Sequence, residues 1–114
     1  MRGLRLRLVK VNAWYSTLTF RKRPIGLVLV ADDRSWGQVK AEVSSKIHPT
    51  VGQFIVSQVG ALSKRIDRGD VPRRRDLDFL AGKFSGDVRL STAMPIVSSE
   101  TQGEMWERLW RSIA

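Results

Sequence analysis

The sequence predicts an α+β domain: an antiparallel sheet of three to five strands with about three α-helices packed on one face. Three observations carry this. Residues 4–11 alternate apolar and charged side chains, residues 25–31 (IGLVLVA) form a short unbroken apolar run, and beyond residue 50 the apolar residues recur at helical spacing.

The elements follow in order. Leu4, Leu6 and Leu8 share one side of a half-buried strand whose other side carries Arg5 and Arg7. Trp14 to Phe20 (WYSTLTF) is aromatic and β-branched, a second strand, which Arg21-Lys22-Arg23-Pro24 breaks. The run 25–31 reads as a central strand buried on both faces and stopped by Asp32-Asp33. Residues 35–47 fit two patterns. Ser35 with Gln38 resembles a capping box before a helix, while Val39, Ala41 and Val43 alternate as a strand pairing with 25–31, the reading adopted here. Thr50 with Gln53 opens a helix whose stripe is Val51, Ile55, Val59, Leu62 and Ile66, and Gly69 stops it. Gly52 and Gly60 inside it each cost up to about 1 kcal/mol against alanine, which suggests close packing of another element. A second helix spans Pro72 to Phe84, with Leu77, Leu80, Ala81 and Phe84 facing the core. Val88 to Leu90 is a short edge strand, and Met94 to Val97 is extended. Ser99 with Gln102 opens a last helix whose apolar face is Trp106, Leu109, Trp110 and Ile113.

At 114 residues, with 42% hydrophobic and 27% charged side chains, residues 1–114 form one domain with a modest core. No apolar run approaches the roughly 20 residues of a membrane span, and the charged start (MRGLRLRLVK) lacks a signal peptide's apolar core. The absence of cysteine excludes disulfides, thiolate nucleophiles and cysteine-bound zinc, and fits a cytoplasmic location.

The net charge is +9 and the pI about 11.1, the electrostatic footprint of a nucleic-acid binder or of a protein that docks on an acidic partner. The densest run of charge is RIDRGDVPRRRD, residues 65–76. Arg73, Arg74 and Arg75 fall in the first turn of the second helix, where cations oppose the helix dipole and could hold an anion. From Asp67 to Asp78, however, four arginines face four aspartates, and internal pairing is the plainer reading. The surplus lies in residues 1–31, with Arg2, Arg5, Arg7, Lys10, Arg21, Lys22 and Arg23 and no acid, whereas the rest holds 13 basic and 11 acidic side chains. These seven residues are the primary nucleic-acid or anion-binding candidates, with Arg73, Arg74 and Arg75 secondary. The same arginines would also serve to protect an exposed edge strand.

Other chemistry is sparse. His48 is the single histidine, in a loop before a helix. Asp32 and Asp33 end a buried strand, where metal-dependent nucleases keep carboxylates, but no Glu-x-Lys or Asp-x-Lys triplet follows, and a turn explains them. The glycines match no phosphate loop. No catalytic residue, metal ligand or cofactor is assigned. Trp106 and Trp110 clamp the last helix to the sheet or, alternatively, offer a partner-docking surface. Trp14 and Tyr15 could stack on exposed bases.

Tyr15 to Asp33 (YSTLTFRKRPIGLVLVADD) resembles the opening strand pair of a bacterial family of small proteins of unassigned function, domain of unknown function three thousand and thirty-seven. Residues 79–114, with Val88-Arg89-Leu90-Ser91, an extended piece bearing Pro95 and a helix closing on Glu107-Arg108-Leu109-Trp110, resemble its ending. The two stretches cover about half the chain. The family's turn usually carries a glutamate and an asparagine before the glycine. Arg23-Pro24-Ile25-Gly26 has neither, in a shorter turn. The resemblance implies a compact α+β fold and an accessory role beside kinase-like partners, and carries over no catalytic residue.

Three functions are therefore expected in order: a non-enzymatic module binding nucleic acid through its basic N-terminal third, a phage or bacterial accessory or inhibitor subunit docking on an acidic protein, and a metal-dependent nuclease at Asp32 and Asp33.

Overall fold

In the computed structural model, residues 10–113 are described, and the expected strand at 4–11 lies outside them except for Lys10 and Val11, which are not in a strand. The remaining chain builds a five-stranded antiparallel sheet with three helices, an α+β fold. Strand β1 (Ala13–Phe20) and strand β2 (Arg23–Ala31) form a hairpin, and β3 (Gly37–Ala41) pairs with the outer edge of β2. The other edge of β1 is shared by β4 (Val88–Leu90) at its Leu18–Phe20 end and β5 (Met94–Ile96) at its Ala13–Tyr15 end. Ser91 joins these two pairings, its N–H donating to the Thr17 carbonyl at 2.9 Å and its Oγ accepting from the Thr17 N–H at 2.8 Å.

β2 is central, and its unbroken apolar run is explained by burial on both faces. Val28 and Val30 point to one side, where they meet Ile55 and Leu62 of α1 (Pro49–Asp67) and Leu77 of α2 (Arg74–Ala81). Leu27 and Leu29 point to the other, against Met105, Trp106 and Leu109 of α3 (Gln102–Ile113). The sequence pattern predicts all three helices on one face. Instead the sheet is sandwiched, α1 and α2 on one side and α3 on the other, because β2 has two apolar faces to cover.

The hairpin is irregular near its turn. Leu18 pairs with Gly26 but Thr19 with Pro24, so Ile25 is an extra, bulged residue. The bulge accommodates Pro24, which has no N–H for a ladder, and turns Ile25 toward the α1 side although its alternation partners Leu27 and Leu29 face α3. Gly26 is required beside it: a Cβ there would lie 2.9 Å from the Lys40 carbonyl oxygen and 3.0 Å from the Ala41 Cβ.

The helix boundaries differ in detail from the sequence patterns. His48 caps α1, its Nδ1 accepting from the Thr50 N–H at 3.2 Å, in place of Thr50 itself. Gly52 does admit a close neighbour, with Val43 3.1 Å from an added Cβ, whereas Gly60 faces open space. α2 begins at Arg74, after Pro72, and ends before Phe84, which is nonetheless buried. α3 is capped by Thr101 and Glu104, reciprocally at 3.0 and 3.2 Å, and not by Ser99 with Gln102.

Candidate polyanion surfaces at the two ends of the sheet

The cations of the sequence gather at opposite ends of the β1–β2 hairpin. At one end the loop is only Arg21 and Lys22, since Phe20 pairs with Arg23. Both loop residues are left-handed, with φ of 49° and 66°, the backbone of a type I′ turn normally given to asparagine and glycine. An L-residue with a side chain loses roughly 1–2 kcal/mol in this region. Arg21 is steadied by three contacts: its N–H donates to the Asp87 carbonyl at 2.9 Å, its Nε to Asp87 Oδ2 at 3.3 Å, and its guanidinium lies 5.2 Å from the centroid of the Phe20 ring. The Arg21–Asp87 pair is exposed and worth about 0–1 kcal/mol. Among the described residues, no carboxylate lies within 4.0 Å of the charged groups of Lys22, Arg23 or Lys46.

Behind this turn, between the loop that joins β3 to α1 and the last turns of α3, runs a groove of about 650 Å³. Its rim carries Arg21, Arg23, Lys46 and Glu42, and its floor includes Phe20, Ile25, Trp110 and Ile113. Lys40 stands 5.0 Å from the centroid of the Trp110 ring, a second cation seated on an aromatic face.

At the opposite end, Trp14, Asp32, Asp33, Arg34, Arg73, Arg74 and Arg75 surround an open hollow of about 520 Å³. The Trp14 indole N–H donates to Asp32 Oδ1 at 2.8 Å, and Arg74 lies 4.9 Å from the Trp14 ring centroid. Asp33 accepts from the Ser35 hydroxyl at 2.6 Å and the Ser35 N–H at 3.0 Å, which hold its carboxyl below the usual range. Asp33 thus acts as a turn acceptor and Asp32 holds the Trp14 indole, and no cluster of three metal-ligating side chains occurs among the described residues.

The aspartates of the arginine run are engaged mostly by arginines of the run itself, with Arg34 and the Ala93 N–H joining from outside. Asp70 accepts from Arg65 at 3.0 Å and from Arg34 at 3.1 Å, and the Arg65 hydrogen bond is the main reason its carboxyl sits below the ordinary value. Asp76 accepts from the Arg73 N–H at 3.0 Å and stands 3.9 Å from Arg65. Asp78 accepts from the Ala93 N–H at 2.7 Å and approaches Arg74 at 3.7 Å. Of the three consecutive arginines only Arg74 has a carboxylate within 4.0 Å among the described residues. Internal pairing thus reaches Asp70, Asp76 and Asp78, each with an arginine of the run within 4.0 Å, but it leaves the guanidiniums of Arg73 and Arg75 without a carboxylate at that distance among the described residues.

Of the seven primary candidates, Arg2, Arg5 and Arg7 lie outside the described residues. Lys10 is exposed before β1, near Asp33, while Arg21, Lys22 and Arg23 lie beyond its far end, about 27 Å of strand away. The fold does not bring Lys10 and the turn together. It adds Lys46 and Lys40 to the turn, and Arg34 to the arginine hollow. Nothing local in the sequence marks these three, because strand order and the sheet's ends place them. Of the tryptophan pair, Trp106 is buried and Trp110 half-buried, with rings stacked at 5.7 Å. Of the two, Trp110 lines the groove behind the turn. No helix of the described residues is long and apolar enough to cross a membrane.

Comparison with known proteins finds no matching family model, no matching curated protein and no matching solved structure.

Proposed function

We propose that this protein is a non-enzymatic binding module that grips the phosphate backbone of nucleic acid with the tip of its β1–β2 hairpin. One observation carries the reading: Arg21 and Lys22 occupy the two left-handed positions of a two-residue turn, φ 49° and 66°, where asparagine and glycine would fold with less strain. Strain held in a tight turn is an expense that function explains when the residues bearing it are the charged ones. Arg23 and Lys46 stand beside them on the same groove rim, and each phosphate such a surface neutralises releases condensed counterions.

The test is a titration of a fluorescent oligonucleotide at several salt concentrations. Affinity should fall with a log–log slope near −0.9 per phosphate contacted on duplex and about −0.7 on single strands. Replacing Arg21, Lys22, Arg23 and Lys46 with glutamine should flatten that slope and weaken binding at least tenfold. No binding at low salt, or binding indifferent to salt, would refute the reading. The accessory role implied by the family resemblance belongs to the alternative in which the same rim meets an acidic protein.

A further inference from the structure

Resting on that reading, we infer that the groove behind the turn takes an unpaired nucleobase, so the module prefers single-stranded nucleic acid to duplex. A surface built only for phosphates needs cations and nothing else. Here the cations frame apolar surface: Phe20, Ile25, Trp110 and Ile113 are each only half-buried and form a floor in a groove of about 650 Å³. A phosphate at the rim would leave that floor wet. A nucleotide satisfies both parts, its phosphate meeting Arg21, Arg23 or Lys46 and its flat base covering the floor, where stacking on aromatic and guanidinium planes is worth about 1–3 kcal/mol per base.

The rim also holds one acid, Glu42, whose carboxylate is exposed and 3.9 Å from Lys40. A carboxylate repels phosphate and acidic side chains alike, but it accepts from the exocyclic amino group of adenine, cytosine or guanine, a donor that an acidic side chain lacks. That residue favours a base over an acidic protein segment as the occupant. The bases of a duplex are stacked inside the helix and cannot reach a floor set behind a protruding turn. Arg21, 5.2 Å from the centroid of the Phe20 ring, lines the groove where a sugar–phosphate chain would enter, and Lys40 lies 5.0 Å from the centroid of the Trp110 ring that helps to line it.

The experiment compares three probes at one salt concentration: a mixed-sequence single strand, an abasic strand of equal length with the same phosphates, and the duplex. The intact single strand should bind about tenfold more tightly than the abasic strand and quench tryptophan fluorescence. Ile113→Ala should shrink that ratio while leaving abasic binding unchanged, and Glu42→Gln should shrink it too, while strengthening abasic binding through the lost negative charge. Equal affinity for intact and abasic strands, or tighter binding of the duplex, would overturn the inference while leaving the phosphate-binding reading intact. Failure of all three probes to bind would remove both. Tighter binding of a glutamate- and leucine-rich peptide than of any oligonucleotide would overturn the inference in favour of a protein partner.

Discussion

Arg34 reaches across 36 positions of sequence to Asp70, its Nη2 3.1 Å from Oδ1, while its Nε donates to the Val71 carbonyl at 2.8 Å. Arg65 takes the other oxygen of the same carboxylate at 3.0 Å. Asp70 therefore ties the β2–β3 turn, the end of α1 and the approach to α2 into one joint. Asp70→Asn should lower the melting temperature measurably in a thermal scan, because it removes the one carboxylate within 4.0 Å of half-buried Arg34 among the described residues and leaves Arg65 only Asp76 at 3.9 Å. It should leave oligonucleotide affinity unchanged, since the joint lies at the arginine-hollow end.

The strained turn makes a prediction with opposite signs for stability and binding. Arg21→Asn combined with Lys22→Gly installs residues that accept left-handed φ, and should stabilise the protein by about 1–2 kcal/mol in urea denaturation. The same double variant should bind oligonucleotide several-fold more weakly. Lys22→Gly alone removes no ion pair within 4.0 Å among the described residues, and if it is less stable than the parent, the turn carries no strain at that position.

Gly26→Ala should destabilise by about 1–3 kcal/mol, because the added methyl meets the Lys40 carbonyl oxygen at 2.9 Å and backbone cannot step aside as a flexible side chain would. Denaturant unfolding measures the loss, and a matched Gly60→Ala, at a position with nothing within 4 Å, should be neutral or stabilising.

The fold class was legible because its signals are local. The aromatic, β-branched run at Trp14–Phe20 and the doubly buried run at 25–31 need no knowledge of partners, whereas residues 35–47 fit a helix as well as a strand, and only the pairing of 37–41 with β2 decides between them. The side of the sheet on which α3 lies was not legible. The stripe of Trp106, Leu109 and Trp110 says that a face is buried but not against which surface, and only the two-sided burial of Leu27 and Val28 on β2 hinted at a third layer. For the candidate site, the charged turn was readable and the groove was not. Ile25 reaches it through a one-residue bulge, and Ile113 and Lys46 arrive from elements distant in sequence. Charge counting showed that the run could pair internally but not which arginines each aspartate takes, since Arg65 at its start and Arg34 from the β2–β3 turn occupy Asp70.

Glu100 makes a pH prediction. Its carboxylate accepts from Arg108 at 2.8–3.1 Å and from the Ser98 hydroxyl at 2.7 Å, with Arg108 the larger influence, and its pKa lies below the ordinary 4.5. A carboxyl whose folded pKa is depressed stabilises the fold above its unfolded value, and that contribution is lost as pH falls through the folded value. The wild type should therefore exceed Glu100→Gln in stability at neutral pH, and the difference should fade as pH drops from 4.5 downward. Tryptophan fluorescence during denaturation reads this out, since α3 carries Trp106 and Trp110. A difference that stays constant with pH would mean that the pair contributes nothing.

The two basic ends can be set against each other. Arg73→Gln with Arg75→Gln removes cations from the first turn of α2, where they oppose the helix dipole and have no carboxylate within 4.0 Å among the described residues. Arg74 is kept, because it contacts both Trp14 and Asp78. Stability should rise by a few tenths of a kcal/mol per residue, and oligonucleotide affinity should change less than threefold. Glutamine at Arg21, Lys22 and Arg23 should instead weaken binding at least tenfold and reduce the magnitude of the salt slope by about one for each phosphate that is no longer neutralised. The opposite result, with binding abolished by the Arg73 and Arg75 changes and kept in the turn variant, would move the interface to the hollow around Trp14. Asp32 and Asp33 weigh against that outcome: both line the hollow as carboxylates, and together they offset two of its arginines before any phosphate arrives.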